Sequence, residues 1–355
     1  MRWDALLNDE PGKGRPGQPG QPGMPALFER GAVARTFDTP GFRGMTFFEV
    51  HARSVINRVP DASRLPFRWT INPYRGCSHS CPYCFARRSH TYLDLDAGHD
   101  FNTKIVVKVN APERVRAELA APRWQGEHIA MGTNVDCYQR AEGRYRLMPG
   151  ILAALRDAAN PFSILTKGTL ILRDLDLIAG AAEVTDVGLA VSVGCTDTAL
   201  WRELEPGTPS PQRRLEVCAA FSAAGLPCAV LMGPVVPFLS DSPAQLDATV
   251  RQIAQAGATS VTPIVLHLRP AAREWFFGWL GEAHPDLVPR YRALYHRGAY
   301  APAAYQKQVT ERVRALARRY GVGRGAPSGR SRRFAPPAVR TAGRAEPAPQ
   351  QLTLL

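Results

Sequence analysis

What this chain lacks narrows its class first. It has no unbroken apolar segment suited to a bilayer: the longest uncharged stretch, Val217 to Ser240, contains Gly225, Pro227, Gly233, Pro234 and Pro237. Those residues would break a spanning helix, so the stretch is expected to be a helix end followed by a buried strand. It has no apolar secretory leader, because Met1-Arg2-Trp3-Asp4 through Asp9-Glu10 carries acids where such a leader needs hydrocarbon. The expectation is a soluble, cytoplasmic protein without a membrane partner. No Gly-x-Gly-x-x-Gly follows the first strand, which weakens a dinucleotide-binding reading. Acids are in deficit, with 31 Asp and Glu against 44 Lys and Arg, and the net charge of +13 implies attraction to a polyanion. Seven cysteines in a cytosolic chain are thiols rather than a disulfide framework.

Composition also divides the chain. Residues 11 to 25 repeat Pro and Gly in a run too short for a triple helix, so residues 1–42 are expected to be a flexible N-terminal segment. From Gly321 to Leu355, Arg324, Arg330, Arg332, Arg333, Arg340 and Arg344 face one acid, Glu346. This reads as a disordered basic tail over 321–355, which argues electrostatically for nucleic acid without implying sequence reading. Between these ends, residues 43–268 alternate short β-branched runs with amphipathic helices. Strands are expected over Pro66–Ile71, His128–Met131, Phe162–Thr166, Val187–Val193, Cys228–Met232 and Ser260–Leu268, with an edge strand at Lys104–Val109. Helices are expected over Pro112–Ala121, capped by Asn110, and over Pro211–Ala224 and Pro243–Ala256, stopped by Gly225 and Gly257. Six such units make an α/β fold with a parallel sheet, either open and doubly wound or a partial barrel. Residues 269–320 are aromatic and helical, expected to pack as a C-terminal extension against it.

The chemistry gathers at the strand ends, where α/β sheets place their sites. After the first strand comes Gly76-Cys77-Ser78-His79-Ser80-Cys81-Pro82-Tyr83-Cys84-Phe85. Three close thiols suit one metal centre. A zinc site would need a fourth ligand, His79 or His90. A four-iron cluster normally takes one thiolate per iron, so three thiolates leave one iron open to something other than protein. Gly132 to Asp136 follow the second strand, Lys167 the third, and Ser192 ends the fourth. Cys137, next in the same loop, is a candidate reactive thiol.

Cys77-x-x-x-Cys81-x-Tyr83-Cys84 resembles the signature of radical S-adenosylmethionine (SAM) enzymes. Asn72-Pro73-Tyr74-Arg75-Gly76, Phe85-Ala86-Arg87, Gly132-Thr133-Asn134-x-Asp136-x-Tyr138-Gln139, Leu165-Thr166-Lys167 and Leu204-Glu205-Pro206-Gly207-Thr208-Pro209 are similar to the subgroup related to spore photoproduct lyase. The resemblance runs from about residue 43 to 320. It implies a partial (β/α)6 TIM-type barrel over 43–268 and two cofactors, a [4Fe-4S] cluster and SAM, reduced by an external electron donor. It implies Cys77, Cys81 and Cys84 as iron ligands, with the amino and carboxylate groups of SAM on the fourth iron. Tyr83 would lie against adenine, Gly132, Thr133 and Asn134 near the methionine amine, and Lys167 and Ser192 near the carboxylate and ribose. In the lyase a separate cysteine returns a hydrogen atom, the role for which Cys137 is the candidate here. The expected substrate is nucleic acid, in a DNA repair-like lyase reaction. The alternatives are a peptide, RNA or small molecule, or a non-catalytic metal-binding protein tethered to DNA. Gln351-Leu352-Thr353-Leu354-Leu355 resembles the peptide by which bacterial DNA-processing proteins dock on the sliding clamp.

Overall fold

The computed structural model describes residues 31–60, 63 and 65–323. The clamp-like peptide and the arginines from Arg324 onward lie outside the described residues, as do residues 1–30.

In chain order the strands are β1 (Val33–Arg35), β2 (Thr46–Val50), β3 (Ile56–Arg58), β4 (Trp69–Ile71), β5 (Tyr74–Arg75), β6 (Lys104–Lys108), β7 (Ile129–Met131), β8 (Phe162–Thr166), β9 (Val187–Ser192), β10 (Cys228–Val235) and β11 (Ser260–Val265). The α-helices are α1 (His99–Thr103), α2 (Ala111–Leu119), α3 (Arg140–Tyr145), α4 (Leu147–Asp157), α5 (Leu175–Val184), α6 (Thr198–Leu204), α7 (Pro211–Ala223), α8 (Pro243–Gln255), α9 (Ala272–Ala283), α10 (Val288–Leu294) and α11 (Ala303–Tyr320).

Six parallel strands make the partial barrel in the order β4-β7-β8-β9-β10-β11, and β3 closes one edge antiparallel to β4. The strands are short, apolar and mostly covered on both faces, as in β7, whose three residues are all buried. Helices return the chain between them. Ser210 accepts a bond from Arg213 N and Ser242 one from Gln245 N, each followed by a proline in the first turn, so α7 and α8 start where capping chemistry dictates. Both stop before Gly225 and Gly257, which take φ +74° and +73°.

Three expectations need correction. Lys104–Lys108 is not an edge of the barrel sheet. β6 lies inside a second sheet of order β1-β2-β6-β5, parallel to β2 with Phe47 opposite Ile105. Asn110 does not cap α2, because its side chain instead clasps the Ala52 backbone, accepting from Ala52 N at 2.8 Å and donating to Ala52 O at 3.0 Å. Order also begins before residue 43, since β1 pairs antiparallel with β2.

The uncharged stretch from Val217 is the end of α7 followed by β10, and among the described residues no helix is long and apolar enough to cross a membrane. Phe276, Tyr291 and Tyr295 are buried between α9, α10 and the barrel, with Tyr291 and Tyr295 stacked at 6.0 Å. Tyr295 donates to Leu266 O at 2.7 Å, and α11 lies against α8 and β11.

Candidate active site

The cysteine loop leaves β5 through Gly76, which sits at φ +79°. A β-carbon there would come within 2.9 Å of the His90 ring and of the Lys104 carbonyl, so only glycine fits. Four separate parts of the chain hold the loop. Cys77 N donates to Phe101 O at 2.9 Å. Gln139, wholly buried, accepts from Ser78 N at 3.0 Å and donates to Gly76 O at 2.9 Å. Gly207 N donates to His79 O at 3.1 Å. Arg87, also wholly buried, donates to Cys81 O at 2.9 Å and to Ala97 O, Gly98 O and Asn102 Oδ1. Its guanidinium lies 5.1 Å from the Phe101 ring and 4.7 Å from the Trp275 ring. Such a backbone is preorganised before any ligand arrives.

All three loop thiols line one cleft at the carboxyl ends of the parallel strands. Tyr83, Gly132, Thr133, Asn134, Lys167 and Ser192 line it too, so residues scattered over more than a hundred positions of sequence meet there. Gly132, at φ +74°, passes so close under β8 that a β-carbon would lie 1.8 Å from Leu165 O. Asp136 then fixes the neighbouring strand end: its carboxylate accepts from Thr166 Oγ1 and Lys167 N, both at 2.6 Å, and from Tyr138 N at 2.9 Å. Ser192 Oγ donates to Gly233 O at 3.0 Å.

One side of the cleft is a buried ionic network. Glu205 accepts from the Tyr83 hydroxyl at Oε1 and from Arg214 Nη2 at Oε2, and Lys167 Nζ stands 3.8 Å from Oε1. Arg214 also donates to Ser192 O, Pro209 O and Thr208 Oγ1. Burial pushes the Glu205 carboxyl up, but Arg214 and Lys167 outweigh it and hold it below its usual range. Burial pulls Lys167 down, but Glu205, Cys81 and Asp136 together hold it above its usual range. The network is therefore ionised, with two cations facing the Glu205 carboxylate. Burial raises all three loop thiols, Cys81 to about 12, so each stays protonated until a metal displaces its proton. Burial takes His79 down to about 4, against the opposing pull of Asp136.

The donor set suits an iron–sulfur cluster better than zinc. Thiolates are the soft ligands such clusters take. Among the described residues no three His, Cys, Asp or Glu side chains group so as to hold a single ion, whereas a cubane spreads its thiolates over separate irons. Among the described residues neither His79 nor His90 groups with the thiols so as to complete a zinc site.

Cys137 is not brought to the cleft. Its side chain is 1% exposed and packs in the core with Tyr74 and Tyr138, because the loop that turns Asp136 toward β8 turns the next residue inward. Burial, with Asp136 and Glu142, raises its thiol pKa well above the usual value. Sequence reasoning missed the roles of Glu205, Arg214, Arg87 and Gln139. Glu205 and Gln139 stand inside motifs noted above, yet their partners are far away in sequence.

A family model described as "Radical SAM superfamily" matches residues 71–250. Uncharacterized proteins of Mycobacterium tuberculosis and Mycobacterium bovis are 53% identical over 292 residues, covering 82% of this chain and 86% of theirs. An uncharacterized protein of Methanocaldococcus jannaschii is 28% identical over 195 residues, 54% of this chain and 69% of its own. Among solved structures, spore photoproduct lyase complexed with dinucleoside spore photoproduct superposes with a TM-score of 0.60, covering 78% of this chain and 80% of that one at 14% identity. A variant of that lyase with bound AdoMet gives 0.57 at the same identity, covering 74% of this chain and 77% of its own. With half the chain matched by the family model, and with a majority-identical relative spanning most of it, this protein belongs to the radical SAM superfamily, whose enzymes use a [4Fe-4S] cluster and SAM.

Proposed function

We propose that Cys77, Cys81 and Cys84 each ligate one iron of the cluster, that SAM occupies the rest of the cleft, and that the substrate is nucleic acid. One observation carries the first two parts: the three thiols share a cleft with Tyr83, Gly132, Thr133, Asn134, Lys167 and Ser192. When bound and reduced by an external electron donor, the cluster and SAM together supply a 5'-deoxyadenosyl radical that takes a hydrogen atom from substrate. The chain's own groups do the rest. Lys167, held cationic beside Glu205, would meet the SAM carboxylate. Thr133 and Asn134, set on the Gly132 turn, would meet the SAM amine. Tyr83, its hydroxyl tied to Glu205, presents a ring at a set angle for adenine. Leu165, Leu231 and Leu266 give the cleft an apolar lining.

The net charge of +13 supports the nucleic-acid substrate, as does a fold shared with a lyase that binds a dinucleoside photoproduct. Anaerobic reconstitution tests the cofactor assignment: about four irons per chain are expected, with reductive cleavage of SAM to 5'-deoxyadenosine. Cys77→Ala, Cys81→Ala or Cys84→Ala should abolish both. Bound zinc without SAM cleavage would sink the reading. Deuterium transfer into 5'-deoxyadenosine from labelled DNA lesions tests the substrate, and transfer only from a peptide or a small molecule would reject it.

A further inference from the structure

Beyond the thiols the cleft opens onto a row of three rings. Phe85 follows Cys84 directly, lines the cleft and is 36% exposed. The His267 ring, also on the cleft wall, lies 5.6 Å from Phe85 and 5.7 Å from Tyr300, which is 53% exposed. The row is fixed from behind: His267 and Tyr300 form an antiparallel bridge, and Leu268 N donates to Ala299 O at 2.7 Å. Arg269, exposed, donates from Nη2 to the Tyr300 hydroxyl at 3.1 Å, and its guanidinium lies over the Phe85 ring, 5.6 Å from its centre. No carboxylate pairs with Arg269 among the described residues. His267 Nδ1 is buried without a hydrogen-bond partner.

Packing does not account for this row. The aromatic residues that pack the C-terminal layer, Phe276, Tyr291 and Tyr295, are wholly buried, whereas Tyr300 and Phe85 show their rings to solvent at the mouth of the active cleft. Exposed rings in series suit a flat π-system, and a guanidinium beside them with no acid of its own suits a phosphate. A nucleotide offers both at the right scale, and stacking demands no particular base.

We infer that Phe85, His267 and Tyr300 form a stacking platform for an unpaired nucleobase, with Arg269 taking the adjacent phosphate. The substrate is then single-stranded or locally opened nucleic acid, since a base held in a duplex could not lie on the platform. The inference rests on the cleft being the radical-generating site of a nucleic-acid enzyme.

The test uses the full chain, reconstituted anaerobically, and a single-stranded oligonucleotide carrying 2-aminopurine. Wild-type protein should quench the 2-aminopurine emission on binding. Tyr300→Ala and Phe85→Leu should relieve the quench and weaken binding about tenfold, the loss expected for one base stack. Tyr300→Phe should keep the quench, which separates loss of the ring from loss of fold. Arg269→Gln should reduce the slope of log affinity against log salt by about one. If the oligonucleotide serves as substrate yet Tyr300→Ala, Phe85→Leu and Arg269→Gln bind and quench like wild type, the platform is refuted and the nucleic-acid reading survives. If wild-type protein binds no oligonucleotide at low salt, while a peptide binds and loses affinity in those same variants, both are refuted.

Discussion

Replacing Glu205 probes the arrangement beside the proposed SAM site most directly. The carboxylate joins Arg214, whose side chain is 1% exposed, to Lys167 at 18% and to the Tyr83 hydroxyl. Glu205→Ala leaves a buried guanidinium without its counter-charge, and breaking such a pair costs about 3–5 kcal/mol. Glu205→Gln keeps the shape and still accepts hydrogen bonds, so it should lose only the charge-assisted part, about 1.5–3 kcal/mol. The order of stability is therefore wild type, then Glu205→Gln, then Glu205→Ala, read from urea midpoints at constant slope. The pH dependence follows from the depressed carboxyl. Stabilisation by an ionised Glu205 is present above the unfolded value of about 4.3, and it disappears as pH falls through the lower folded value. The wild-type and Glu205→Gln curves should converge in acid. A Glu205→Ala protein within about 1 kcal/mol of wild type at neutral pH, below the cost of a broken buried pair, would refute the network as described.

Two further changes separate positioning from packing. Gly132→Ala must accommodate a β-carbon 1.8 Å from Leu165 O as well as a left-handed backbone, so the turn bearing Thr133 and Asn134 should shift. SAM cleavage, followed as 5'-deoxyadenosine, should slow about 100-fold, as displacements of about 1 Å can cause. Cys137→Ala should cost about 1 kcal/mol of stability and leave SAM cleavage within twofold of wild type. Intact SAM cleavage with loss of substrate turnover would restore Cys137 as a hydrogen-returning thiol.

The barrel was largely legible because its signals are local. β-branched runs bounded by Gly and Pro marked the six parallel strands, and Ser210, Ser242, Gly225 and Gly257 marked helix ends through bonds and backbone angles within a turn or two. Which sheet a strand joins is not local. Lys104–Lys108 reads as a strand, but nothing within it says that it pairs with Thr46–Val50 rather than with the barrel. The same division holds in the site. The cysteine spacing and the strand-end position of Lys167 can be read in a short window. The Tyr83–Glu205 bond closes a separation of 122 residues and cannot. Adjacency to Asp136 along the chain does not fix the direction of the Cys137 side chain, which packs in the core while Asp136 bonds to Thr166 and Lys167.

Arg87 carries a consequence for how the protein is made. Its guanidinium holds the carbonyl of Cys81 and faces Trp275 of α9, so the cysteine loop shares one side chain with an element synthesised long after it. While the chain emerges from the ribosome, the three thiols precede the helix that covers Arg87. The loop acquires its full set of restraints only once α9 has docked.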